Sequence, residues 1–191
     1  NDMEREYLDA GSSKAFAVPD HQLAHVYVRR EEEIESVAAV LRNTTGIDMV
    51  LTGDERGDLN HDRCGEIVVI SDGDKWFSHD WWSSNAIAPD YQTTVDIHSK
   101  PGYDPRELLL AKGWRGSRPR IALKLLLKKL GGRGTLDVIT LDPTRVKGSH
   151  GRTPDMGAPS PILIPPACAK EMPQPLPVAA LKNLMIEWIT S

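Results

Sequence analysis

Apolar and polar positions alternate along this chain so as to predict five extended segments, three helices and one long stretch without a period. "AHVYV" (24–28) is short, β-branched and aromatic, and predicts a strand. In the following segment Ile34, Val37, Ala38 and Leu41 recur at helical spacing, with Glu31 to Glu33 in the N-terminal turn and Gly46 beyond the end. "DMVLT" (48–52) and "EIVVIS" (66–71) predict two more strands, separated by a polar loop. Strand, helix, strand and strand in that order predict an α/β or α+β layer.

The pattern then breaks. Residues 74–116 hold four of the five tryptophans and three prolines without a clear period, and predict a long structured insertion. A basic amphipathic helix is expected over 120–130, with Arg120, Lys124 and Lys128 along one face. Such helices can lie on membranes. This one is short and its apolar face is broad, which predicts leucines packed inward and a solvated lysine edge. "TLDVITL" and "PILIP" predict the last strands. A Pro-rich connector (166–177) then leads into a C-terminal helix with Leu181, Leu184, Met185 and Trp188 on one side.

Composition narrows the classes without selecting one. At 191 residues, 40% hydrophobic and 26% charged, the chain suits one globular domain or one part of a larger one. A net charge of −4 argues against a nucleic-acid partner, which would need a clustered basic face. No apolar run reaches the roughly 20 residues that cross a bilayer, and no leader is visible at the N-terminus. Cys64 and Cys168 are too isolated for a disulfide framework or a CxxC zinc site, which favours a cytoplasmic setting.

Candidate chemistry lies in histidines beside turn-forming residues and carboxylates. In "VKGSHGRTPDM" two glycines flank His150, and their freedom at positive φ suits a loop that aims an imidazole, the commonest protein ligand for transition metals. Asp20 with His21, and Asp96 with His98, are carboxylate–imidazole pairs of the kind that metal sites use. His61 and His79 are expected at the surface.

The motifs "DRCGEIVVIS", "VDIHSKPGYDP" and Gly-Ser-His-Gly (148–151) resemble the C-terminal part of the type I phosphodiesterase/nucleotide pyrophosphatase group of the alkaline phosphatase superfamily. The resemblance runs over nearly the whole chain. It implies an α/β fold of alkaline-phosphatase type with the Trp-rich stretch as an insertion. It also implies two divalent metal ions, usually zinc, with His150 ligating one of them. No segment here matches the family's Thr or Ser nucleophile, or the Asp-His-Gly segment that supplies further ligands. Asp20 and His21 therefore inherit no role from the resemblance and are candidates by chemistry alone.

The expectation is a single, partial C-terminal domain (1–191) of a metal-dependent phosphoric ester hydrolase, completed by the upstream half of the same protein. Its substrate would be a phosphate ester or nucleotide-like small molecule. Trp82, His98, Lys100 and Tyr103 would border the pocket, with aromatic faces for stacking and the lysine for a phosphate oxygen. Neither nucleic acid nor membrane is expected as a partner. The alternative is a non-catalytic binding domain or a catalytically dead superfamily member.

Overall fold

The structure is a computed structural model and describes residues 4–95, 100, 104–157, 160–167, 169 and 176–190. It is a mixed α/β chain with two compact units, Asn1–Ala158 and Pro159–Ser191. The first unit is built on a four-stranded antiparallel sheet. Its strands are β1 (Ala15–Asp20), β2 (Leu23–Val28), β3 (Ile47–Thr52) and β4 (Ile67–Ser71), in the spatial order β1-β2-β4-β3. Strand β1 is absent from the sequence expectation. Its run Ala-Phe-Ala-Val-Pro-Asp has small apolar residues and a proline, and Pro19 is tolerated because β1 is an edge strand.

The three strands expected from pattern fall within one residue of their expected limits. Register is set from the centre: Val26 pairs with Ile67, and Val50 and Ala24 both face Val69 across β4. Helix α1 (Ile34–Arg42) covers one face. Its Ile34, Val37, Ala38 and Leu41 meet Ala24, Val26, Ile67 and Val69 in a single apolar cluster. Val68 and Ile70 point the opposite way by strand alternation and are fully buried too, so β4 is covered on both faces. An uninterrupted Ile-Val-Val-Ile run is what such a strand requires.

Segment 74–116 is irregular, as expected, with 3-10 turns at Asn85–Ile87, Asp90–Thr93, Pro105–Leu108 and Gly113–Gly116. "TLDVITL" does not form a strand. Val138 and Ile139 are buried, but among the described residues the segment makes only isolated antiparallel bridges, Thr94 to Asp137 and Leu110 to Ile139. Its bridging partners Thr94 and Leu110 both belong to irregular segments.

Helix α2 (Arg118–Lys129) forms where expected but faces the other way. Arg120 makes a bidentate ion pair with Asp137 (2.8 and 3.0 Å), and Lys124 pairs with the same carboxylate. The polar edge is thereby pinned inward. Leu123, Leu125, Leu126 and Leu127 are each about half exposed, and no residue of the helix is buried. The inward-packed leucines predicted above are thus corrected: the geometry of a shared carboxylate, not apolar burial, sets the rotation of this helix.

In the second unit "PILIP" is unpaired, with Ile162 and Ile164 almost fully exposed, so that expected strand is also absent. Helix α3 (Leu181–Thr190) is present and half-buries Leu181, Leu184 and Trp188, while Met185 is exposed. Among the described residues no helix is long and apolar enough to cross a membrane.

Candidate metal centre

Strands β1 and β2 pair with Asp20 opposite Leu23, which leaves His21 and Gln22 as a two-residue turn. Two-residue hairpin turns need positive φ at a central position and so favour Gly, Asn or Asp there. Here His21 takes it, at φ 58°, the sole non-glycine residue in that region among those described. A side chain held in left-handed backbone costs on the order of 1 kcal/mol, and such strain collects at functional sites.

Loop 148–152 is fastened against this turn. The backbone N–H of Gln22 donates to the His150 carbonyl oxygen over 2.8 Å. Gly151 sits at φ 121°, where an added Cβ would lie 3.1–3.2 Å from the backbone nitrogens of Leu23 and Gln22. Arg152 anchors the far side through Asp48 (2.7 Å) and the Ser71 carbonyl (2.5 Å). Gly151 thus lets the loop approach the turn closely, at a φ that favours glycine. Gly148 has an ordinary φ, and a Cβ there would meet nothing.

The result is convergence. The His21 and His150 rings lie 3.9 Å apart between centroids, tilted by 32°. One donor atom from each of Asp20, His21 and His150 lies within 4.8 Å of the others, with His21 half-buried and the other two exposed. Ser149 Oγ is 3.2 Å from His21 Nδ1, and the tautomer in which Nδ1–H donates to this hydroxyl leaves the Nε2 lone pair for an ion. Donors held tetrahedrally at about 2.0–2.1 Å from zinc stand about 3.4 Å apart, a closure within reach of side-chain rotation. Two imidazoles and a carboxylate form a catalytic-type ligand set, three protein donors with a position left for water or substrate.

Electrostatics favour the same use. Partial burial, and then the neighbouring His150, push the His21 imidazole below its ordinary pKa against the opposing pull of Asp20 and Asp104. A neutral ring keeps its lone pair for a metal.

A buried charged cluster stands nearby. Arg106 is 2% exposed and its guanidinium forks onto Asp104 (2.9 and 2.7 Å), with further bonds to Asp80 (3.0 Å) and the Leu141 carbonyl (2.9 Å). Burial works to raise the Asp104 carboxyl, but the Arg106 hydrogen bonds and charge outweigh it and hold it below the usual range. Two carboxylates on one guanidinium leave one net negative charge, which favours a cation in the vicinity.

His79, expected at the surface, is instead 4% exposed. Its backbone N–H donates to Asp104 Oδ2 (3.3 Å) and its ring meets Trp81 edge-on at 5.4 Å. The Trp-rich segment folds inward here because Arg106 collects its carboxylates. His61 lies at the surface, as expected.

Of the remaining site candidates, Lys100 and Trp82 are each held by contacts of their own. The Lys100 ammonium is buried against Glu107 (3.2 Å) and the Gln92 carbonyl (3.1 Å). Trp82 is buried and its indole N–H donates to Asn85 Oδ1 (3.0 Å). Asp96, His98 and Tyr103 lie outside the described residues. The sequence reading missed Ser149, Gln22 and the Asp104–Arg106 pair. Only the last left a signal: Asp104 followed by Pro105 is a turn-opening pattern, and Asp104 caps the 3-10 turn there by accepting from the Arg106 N–H.

Comparison of the chain with protein-family models, with curated proteins and with solved structures finds no match.

Proposed function

We propose that Asp20, His21 and His150 hold a divalent metal ion, zinc in the first place, in a centre that serves a metal-dependent phosphoric ester hydrolase. The observation that carries this reading is the meeting of a strained hairpin histidine with a histidine from a loop more than a hundred residues away, with a carboxylate beside them. When bound, such an ion polarises a phosphoryl oxygen or lowers the pKa of a coordinated water.

The residues of this chain do the positioning. Ser149 fixes the His21 ring, the Gln22 N–H fixes the His150 loop, and Arg152 holds the loop to β3 and β4. The phosphoric ester and a second ion come from the resemblance of the Gly-Ser-His-Gly and "VDIHSKPGYDP" motifs to the phosphodiesterase/nucleotide pyrophosphatase group. That resemblance assigns His150 a metal, and the cluster supplies His150 with two partners. The upstream half of the protein would bring the nucleophile.

The test is zinc-dependent hydrolysis of bis-p-nitrophenyl phosphate. The 191-residue chain should bind zinc without turnover. The protein that carries this chain together with a nucleophile segment should turn over, and His150→Ala should remove most of the rate. Metal-independent turnover, or turnover that survives His150→Ala, contradicts the reading.

A further inference from the structure

Residues 108–136 carry eight of the chain's 23 basic residues and none of its 27 acidic ones. In a chain of net negative charge this is a strong segregation. Arg120 and Lys124 are spent on Asp137. The other six, Lys112, Arg115, Arg118, Lys128, Lys129 and Arg133, are exposed and enter no salt bridge among the described residues. Amid them runs an exposed apolar stripe. Leu123, Leu126 and Leu127 of α2 and Leu130 at its C-cap stand at i, i+3, i+4 and i+7, between 51% and 75% exposed. Trp114 (68%), in the 3-10 turn that packs beside the helix start, is exposed as well.

We propose that this face of α2 lies on an anionic lipid surface. The ion pairs to Asp137 fix the rotation of the helix and so keep the leucines outward. A helix lying in the interface buries its apolar face at the headgroup boundary and sets its cations among the phosphates, with an aromatic ring at that level. The six cations outside those ion pairs lie along the helix and at both of its ends, in a segment that carries no acidic residue of its own. A spread of one sign suits a sheet of lipid charge better than the mixed rim of a protein partner. The helix is too short to cross, so the association is peripheral and salt-sensitive.

The test uses the whole chain and vesicles of phosphatidylcholine with about one-third phosphatidylglycerol, compared with pure phosphatidylcholine. The chain should sediment with the anionic vesicles and not with the neutral ones. Each surface lysine contributes roughly a fivefold factor, so the Lys128→Glu, Lys129→Glu double variant should weaken binding by at least about tenfold. Leu126→Gln with Leu127→Gln should abolish it. Brominated acyl chains should quench part of the wild-type fluorescence, and that part should vanish in Trp114→Phe. This readout serves where a leucine variant misfolds. Equal sedimentation with both vesicle types, binding indifferent to these substitutions, or a concentration-dependent dimer that shields Trp114 from the lipid would overturn the proposal.

Discussion

The backbone N–H of Gln22 donates to the carbonyl oxygen of His150 over 2.8 Å, and the carbonyl of the same Gln22 accepts from Ser71 at the end of β4 (2.9 Å). The Gln22 side chain reaches the carbonyls of Gly73 and Lys75, each at 3.2 Å. One nearly buried residue therefore joins the hairpin turn, the end of the central strand and the His150 loop. Backbone geometry brings the two imidazoles together, and Ser149 adds a side-chain contact to the His21 ring.

Gly151→Ala should damage the site while Gly148→Ala should not. At φ 121° an alanine is strained, and its Cβ would press on the backbone of Gln22 and Leu23. The expected loss is about 1–2 kcal/mol of stability and a marked loss of metal affinity. Gly148→Ala should stay within about 0.5 kcal/mol of the parent. Chemical denaturation of both variants, beside a zinc titration, makes the comparison. Equal effects would detach the loop from the turn.

Arg106→Met should be among the costliest substitutions in the chain. It leaves Asp104 buried and unpaired, a situation that costs about 3–5 kcal/mol. Adding Asp104→Asn to Arg106→Met should recover part of the loss, because the stranded charge is then gone. Denaturant midpoints of the two variants measure this. A mild effect of Arg106→Met would mean that water reaches Asp104.

His79 should make the fold acid-sensitive. Burial first, and then the charge of Arg106 among its neighbours, push its imidazole below the ordinary value despite Asp104 and Asp80. The folded state thus binds this proton less readily than the unfolded one. Its contribution is complete above about pH 6.5, the unfolded value, and is lost as pH falls below it. Melting temperatures from pH 8 down to about 5 should drop more steeply in the parent than in His79→Gln. Parallel curves would show that His79 is solvated.

Much of the sheet was legible in the residues. A period of two, or an unbroken β-branched run, marks β2, β3 and β4, and a helical period marks α1. Strand β1 was not, because a proline and two alanines carry little strand signal and only pairing with β2 fixes it. The rotation of α2 was not legible either, since leucines encircle the helix and the deciding partner, Asp137, is distant in sequence. Of the centre, His150 and the Asp20–His21 pair were each visible as donors. Their meeting was not, because it depends on a backbone hydrogen bond from Gln22 and on the φ of His21, which no local pattern encodes.

The central claim, that Asp20, His21 and His150 share one ion, is tested most directly by titrating the chain with cobalt(II) and recording its visible absorption. Two imidazoles and a carboxylate in a four-coordinate site give intense d–d bands, whereas a loosely bound octahedral ion gives weak ones. The account predicts intense bands saturating at one equivalent, displaced by zinc and absent in His150→Ala and His21→Gly. The His21→Gly protein should fold at least as stably as the parent, because glycine relieves the positive φ. Weak bands, or bands that persist in both variants, would contradict it.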